Sequence, residues 1–301
     1  MKIAVTGPLS YTGRYATRRL LARGADVVGL TGHPDRPDPF GGHIPIHRLQ
    51  FADVALLERT LRGCEVLVNT YWIRFDRGRN TQERAVENTR RLTTAARNAG
   101  IRRVVHVSIT NPSLNSPLPY FRGKAQNEQS VISSGLTYAI LRPTVLFGKE
   151  DVLINNIAFL LRRFPFFLVP GRGDYRLQPV YVDDLAGLIE AAVEASDSYV
   201  CDAVGPEVFT FRQLVQLIGT TVGHPRPIFA APPALLHLAA RVLGMLFQDV
   251  VLTRHEIDGL MANLLVSTAP PLCRTPLSEW LKENCATVGM NYASELRRHY
   301  D

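Results

Sequence analysis

Short apolar, β-rich runs alternate with longer stretches of helical periodicity through the first two thirds of the chain. The runs at 3–6, 27–31, 44–50, 66–70, 104–108 and 138–141 have the length and composition of strands. Between them, 15–23, 55–61, 81–99 and 124–134 carry helical composition and spacing. That alternation predicts an α/β fold built on a doubly wound parallel sheet, whose ligands sit beyond the carboxyl ends of the strands. After Gly148 the rhythm changes. A helix is expected around 155–163, a turn at Gly171-Arg-Gly-Asp174, a strand at 180–182 returning to the sheet, a helix over 184–195 and a strand over 199–204. Asp183 and Asp184 then read as N-caps. From Gly205 onward the pattern is helical and interrupted by prolines. The expected division is a nucleotide-binding domain over 1–148 and 176–204, with a smaller, mainly helical lobe over 149–175 and 205–301.

The most apolar helical segment, 234–247, is shorter than the roughly 20 residues a membrane span needs and is interrupted by His237 and Arg241. It reads as a helix packed in the smaller lobe, with a protein or membrane contact surface as the alternative. The 301 residues are 46% hydrophobic and 20% charged, as in ordinary globular enzymes. A net charge of +7 raises the question of nucleic acid, but the arginines are spread along the chain, and a phosphate-rich small ligand suits them as well. Cys64, Cys201, Cys273 and Cys285 show no paired spacing and no companion His cluster. They read as reduced thiols, with no metal implied. The start, Met-Lys-Ile-Ala-Val-Thr-Gly, shows no export leader, and the expected compartment is cytoplasmic.

Immediately after the first strand comes Thr6-Gly-Pro-Leu-Ser-Tyr-Thr-Gly-Arg14. Gly7 and Gly13 hold the first and last glycine positions of a Gly-x-x-Gly-x-x-Gly fingerprint, with Ser10 at the middle one. Gly7 permits the tight turn, Gly13 permits close helix packing, and the helix start through Tyr11 and Thr12 offers N–H groups to a pyrophosphate. At the end of the second strand, Leu30-Thr-Gly-His-Pro-Asp-Arg36 has no acid at the strand tip to hold a ribose 2′-hydroxyl. Gly32, His33 and Arg36 are therefore the candidate contacts, and a 2′-phosphate within reach of His33 and Arg36 favours NADP(H) over NAD(H). Asp35 dilutes that positive field.

Tyr120 and Lys124 stand four residues apart, a spacing that puts both side chains on one helix face. Lowering a phenol's pKa by about three units takes roughly 4 kcal/mol. One ammonium about 4 Å away, at an effective dielectric near 20, supplies about that much. Such a tyrosine can exchange a proton with a carbonyl or alcohol while a nicotinamide exchanges the hydride.

These features, in order along the chain, resemble the extended and atypical short-chain dehydrogenase/reductase superfamily. Besides the glycine loop, the resemblance rests on Phe51-Ala-Asp53, Glu87-Asn-Thr89, His106-Val-Ser108, Tyr120-x-x-x-Lys124, the segment 141–148, the segment 178–184 and the segment 205–210. Within it the chain is most similar to the NAD(P)H-binding accessory subunit of respiratory complex I and to nucleoside-diphosphate-sugar epimerase-like proteins. That likeness is carried by Phe147-Gly-Lys-Glu-Asp151 followed by Asn155, by Gln178-Pro-Val180, and by Leu252-Thr-Arg-His-Glu256. The resemblance implies a Rossmann-type sheet. It makes Tyr120 the acid/base, gives Lys124 the phenol and the nicotinamide ribose, and gives Ser108, with Thr110 as substitute, the substrate oxygen. Asp53 and Val54 would meet the adenine edge, Thr70 and Tyr71 would line the cofactor, and Pro143 and Val145 would flank the nicotinamide. Alternatives stay open: Ser108 as a mere strand end, Tyr71 with Trp72 as core packing, Asn155 as a helix cap, Asn88 as support for its helix. Functionally, two outcomes follow. One is an oxidoreductase or epimerase acting on an unknown small molecule; the other is a cofactor-holding accessory or redox-sensing module, with a protein partner at the C-terminal lobe.

Overall fold

The computed structural model describes residues 1–250 and 253–296. The first part of the chain alternates as expected: β1 (Lys2–Thr6), α1 (Tyr11–Ala22), β2 (Asp26–Thr31), β3 (Ile46–Arg48), α2 (Val54–Leu61), β4 (Val66–Asn69), α3 (Gln82–Asn98), β5 (Arg103–Val107), α4 (Pro119–Ile132) and β6 (Thr137–Pro143). Then come β7 (Leu146–Phe147), α5 (Leu153–Arg163), β8 (Phe167–Pro170), β9 (Arg176–Leu177), β10 (Val180–Tyr181), α6 (Val182–Glu194) and β11 (Tyr199–Ala203). The remainder is β12 (Phe209–Thr210), α7 (Phe211–Thr221), β13 (Ile228–Ala231), α8 (Pro233–Phe247), α9 (Arg254–Met261) and α10 (Leu277–Asn284).

Seven strands form one all-parallel sheet in the order β11-β6-β5-β4-β1-β2-β3. The order reverses between β1 and β4, the switch point beside which the glycine loop emerges. Helices cover both faces of such a sheet, so its central strands are apolar without alternation; β4 and β5 are buried along their whole length. This is the doubly wound, Rossmann-type fold that the pattern predicts.

The chain divides into two compact units: Met1–Pro143 with Asp183–Ala203, and Thr144–Val182 with Val204–Asp301. The divisions thus fall at Pro143 and Asp183, where the sequence suggested 148 and 176. One core of the first unit gathers Ala4, Leu30, Leu67, Leu92, Val104 and Ile140. The second unit has its own core, with Phe147, Ile154, Leu177, Leu214 and Trp280 at its centre.

Three expectations need correction. The strand at 180–182 does not return to the main sheet: β10 pairs in parallel with β7 in a separate two-stranded sheet. Asp183 is not an N-cap, because α6 already begins at Val182. Instead it accepts two bonds from Arg19, at 2.9 Å from Nε and 2.6 Å from Nη2, tying α6 to α1. The edge strand β3 is shorter than expected, three residues beginning after Pro45, since proline brings no donor to a ladder. A fully buried Arg103 completes the first unit. Its guanidinium donates to Ala192 O at 2.7 Å and Asp197 O at 3.0 Å, holding the end of α6 and the turn before β11 against β5. Of the 252–256 stretch, Leu252 lies outside the described residues, and Thr253 with Glu256 forms a capping box at the start of α9.

Candidate dinucleotide and proton-transfer site

The glycine loop is drawn tight by its own backbone. Gly7 has φ +65°, donates to Leu30 O at 2.7 Å, and accepts from the backbone N–H and hydroxyl of Ser10 at 2.9 and 2.6 Å. Where Gly13 passes, a Cβ would lie 2.0 Å from Gly7 O, so only glycine permits this approach. Because Ser10 spends its hydroxyl on Gly7 O, it makes no side-chain cap on α1, and the first intrahelical bond is Arg14 N–H to Ser10 O at 2.9 Å. The opening turn, with Tyr11, Thr12 and Gly13, thus presents a helix N-terminus at the switch point, a geometry that fits an anionic pyrophosphate. Thr70 continues this edge, since its hydroxyl donates to Thr6 O at 2.6 Å and its N–H to Thr6 Oγ1 at 2.9 Å.

At the far end, His33 donates its N–H to Thr31 Oγ1 at 3.2 Å and Arg36 closes a turn onto His33 O at 3.4 Å. Asp35 is 92% exposed and pairs with Arg48 at 3.3 Å. Sequence reasoning missed Arg48, which parallel register places beside Thr31 at the tip of β2. Gly32 is needed neither for backbone nor for space, as nothing lies within 4 Å of a Cβ there. Asp53 caps α2 by accepting from Leu56 N–H at 2.8 Å, with Val54 the first helical residue. Tyr71 packs its ring 4.6 Å from that of Phe51 and accepts from Asn88 Nδ2 at 2.9 Å. Asn88 therefore supports Tyr71.

The residues expected to transfer a proton come near one another where β5 and β4 end. Lys124 is 4% exposed; its ammonium donates to Val107 O at 3.0 Å and lies 5.0 Å from the centre of the Trp72 ring. Burial pushes its pKa down to about 7. The same Trp72 ring meets the half-buried Tyr120 edge-on at 5.8 Å. Gly123 admits it, because a Cβ there would come within 2.7 Å of Trp72 Cη2. Trp72 thus touches both members of the pair, a role invisible in spacing alone.

Ser108 is buried and donates to Glu128 Oε1 at 2.5 Å, while Arg142 grips the same carboxylate at 2.9 Å from Nε and 2.6 Å from Nη2. With its proton committed, the Ser108 hydroxyl offers only lone pairs to anything else. Thr110 is fully buried, its N–H bonded to Pro143 O at 3.0 Å. Pro143 ends β6 in the first unit, whereas Val145 belongs to the second, its carbonyl accepting from Val180 N–H at 2.8 Å. Asn155 acts structurally in that unit: it donates to Asp151 Oδ2 at 2.9 Å and accepts from Gly289 N–H at 3.2 Å.

Beneath the site a polar thread crosses three strands. Thr6 Oγ1 donates to Asn69 Oδ1 at 3.0 Å, and Asn69 Nδ2 faces His106 Nδ1 at 3.1 Å. Since the Asn69 oxygen is engaged by Thr6 and Tyr71 N–H, its amide nitrogen is the donor, and His106 carries its proton on Nε2. Burial, reinforced by Lys124, pushes His106 down to about 3, so it stays neutral.

Residues 10–156 match a family described as NAD(P)H-binding. The Arabidopsis thaliana mitochondrial NADH dehydrogenase [ubiquinone] 1 alpha subcomplex subunit 9 is 27% identical over 87% of this chain and 70% of its own length. An uncharacterized protein of Mycobacterium tuberculosis is 28% identical over 83% of this chain, which spans only 28% of that relative. Among solved structures, the Citrobacter triphenylmethane reductase complexed with NADP(H) superposes with a TM-score of 0.77 over 94% of this chain and 99% of its own, at 16% identity. That last likeness speaks for the fold.

Proposed function

We propose that the chain is an NAD(P)(H)-dependent oxidoreductase or epimerase of the extended short-chain dehydrogenase/reductase type, working at a carbonyl or alcohol carbon, a reading supported by the NAD(P)H-binding family match over residues 10–156 and the likeness to the complex I subunit. The observation that carries the reading is the shared Trp72 contact, which holds Tyr120 and the Lys124 ammonium together at the carboxyl edge of the sheet. When bound, the nicotinamide supplies or takes up the hydride. Tyr120 gives or takes the proton at the substrate oxygen. Lys124, fixed by Val107 O, favours the phenolate by its charge. Ser108, oriented by Glu128, accepts from a substrate hydroxyl. The test is steady-state consumption of NADPH or NADH across a panel of small carbonyl compounds. Catalytic turnover on any of them supports the enzyme.

A second reading, a module that holds the dinucleotide without turning it over, is favoured by one feature. Ser108 spends its one donor on Glu128 Oε1, and Lys124 spends one of its three on Val107 O, neither needing a substrate to do so. Such a protein would retain stoichiometric cofactor, unreacted across the whole panel, and would dock a protein partner through its C-terminal lobe.

We assign NADP(H) as the preferred cofactor on the basic set His33, Arg36 and Arg48 and the absence of an acid at the tip of β2. Gly32 gives a direct check. Its open surroundings accept an arginine, so Gly32→Arg should tighten NADPH about fivefold, the worth of roughly 1 kcal/mol from an exposed charge pair. NADH affinity should not move. Fluorescence titration with both nucleotides reads the difference, and an equal gain for both would place the 2′-phosphate elsewhere.

A further inference from the structure

Helix α8 carries large apolar side chains on its outer as well as its inner face, with the exposed Arg241 between Leu238 and Met245. Its inner face packs: Ala240 is 8% exposed, and Phe247 stacks on Tyr292 at 4.6 Å and meets Phe159 edge-on at 5.5 Å. Its outer face carries Leu235, Leu238 and Met245, which are 52%, 57% and 73% exposed. Spacings of three and seven put these on one stripe. Beside the start of the helix, β13 contributes Phe229 at 54% exposed, whose ring meets that of Phe166 at 6.1 Å, just ahead of its partner strand β8. Clustered large apolar side chains at a surface mark an interaction site.

The two chain segments that build this face carry charges of one sign. From Val208 to Gln248 there is no aspartate or glutamate, only Arg212, Arg226 and Arg241 with two histidines. From Val152 to Gly173 there is again no acid, and there are three arginines. The guanidinium bonds here go to backbone carbonyls: Arg162 to Cys285 O at 2.7 Å, Arg163 to Met290 O at 3.0 Å, Arg212 to Ile228 O at 3.0 Å and Arg226 to Leu161 O at 3.1 Å. Carbonyls orient these groups without cancelling their charge.

We propose that this face, the outer stripe of α8 with the Phe166–Phe229 corner, docks on the surface of an anionic lipid bilayer, with α8 lying in the plane of the interface. A bilayer supplies both things the face lacks, an apolar layer for Leu235, Leu238 and Met245 and negative headgroups for the arginines. A second copy of the chain would bring two cationic faces together with no acid to pair them. Spanning is not an option for α8: with 15 residues it is too short, and no helix among the described residues is long and apolar enough to cross a membrane.

The experiment is co-sedimentation of the full chain with vesicles of phosphatidylcholine alone and of phosphatidylcholine mixed with phosphatidylglycerol. Binding is expected to the anionic vesicles and to fall with added salt. Leu238→Asp with Met245→Asp should weaken it by about tenfold or more, and Arg241→Glu should weaken it on anionic vesicles alone. These positions are exposed, so the variants keep the wild-type melting profile and nucleotide affinity, which serve as the folding controls. Sedimentation with neither vesicle overturns the proposal, whether the face is then found to take an acidic protein or a second copy. So does equal binding by wild type and the double variant. The assay needs no turnover, so its result stands apart from the catalytic reading.

Discussion

Tyr120→Phe is expected to lower kcat by about 10²- to 10⁴-fold, the usual span for loss of a positioned general acid or base. Dinucleotide affinity should stay where it is. The substitution keeps the ring, and with it the edge-on contact with Trp72 at 5.8 Å, so only one oxygen leaves. A group used only in the transition state lowers kcat and kcat/KM together, and steady-state kinetics alongside a fluorescence titration would show that pairing. Ser108→Ala should cost much less. The Ser108 proton already belongs to Glu128, and Glu128 keeps Arg142 after the hydroxyl is gone. If the serine variant is as impaired as the tyrosine one, the Ser108 hydroxyl turns to donate during the reaction. Unchanged kcat in Tyr120→Phe would remove the phenol from the mechanism.

The legibility of this fold follows the physics of parallel sheets. β4 and β5 are buried on both faces, so their sequences run mainly apolar without alternation, Asn69, Arg103 and His106 being the polar exceptions, and can be read without a partner. Helix starts were harder. Helix α1 begins at Tyr11 and α4 at Pro119, four and five residues before periodicity shows them. Loop chemistry occupies those first turns; the proline at the first position of α4 was the available signal. The strand at 180–182 was visible but its partner was not, because pairing with Leu146 and Phe147 is a tertiary fact. The site divides the same way. The glycine loop and the Tyr120–Lys124 spacing are local and could be read. Glu128 was also within reach, one helical turn beyond Lys124, yet its meaning depends on Ser108 and Arg142 arriving from two strands. Trp72 and Arg48 gain their roles only through packing and register.

Lys124→Met should make the protein both more stable and less active at pH 6, where the buried ammonium is charged. The lysine's ordinary value is 10.5, and burial brings it to about 7 in the folded chain. Between those values the unfolded chain holds a proton that the folded chain has released, so stability rises with pH, by up to about 1.4 kcal/mol per unit. Below pH 7 both states are charged, the cost of burying the ammonium is present in full, and this group adds no further pH dependence. Methionine fills the same space without charge, so the variant escapes that cost. It also gives up the bond to Val107 O and the contact with Trp72, losses of about 1–3 kcal/mol that offset part of the gain. Urea unfolding should therefore show the variant ahead at pH 6 by an amount on the order of a few kcal/mol, with wild type catching up as pH approaches 10. Parallel pH profiles would mean that Lys124 keeps its proton across the range. The kinetic half of the experiment separates the two functional readings. In an enzyme, Lys124→Met lowers turnover at pH 6 even with the dinucleotide saturating, because the charge that favours the Tyr120 phenolate is gone. In a cofactor holder, the same change moves affinity alone.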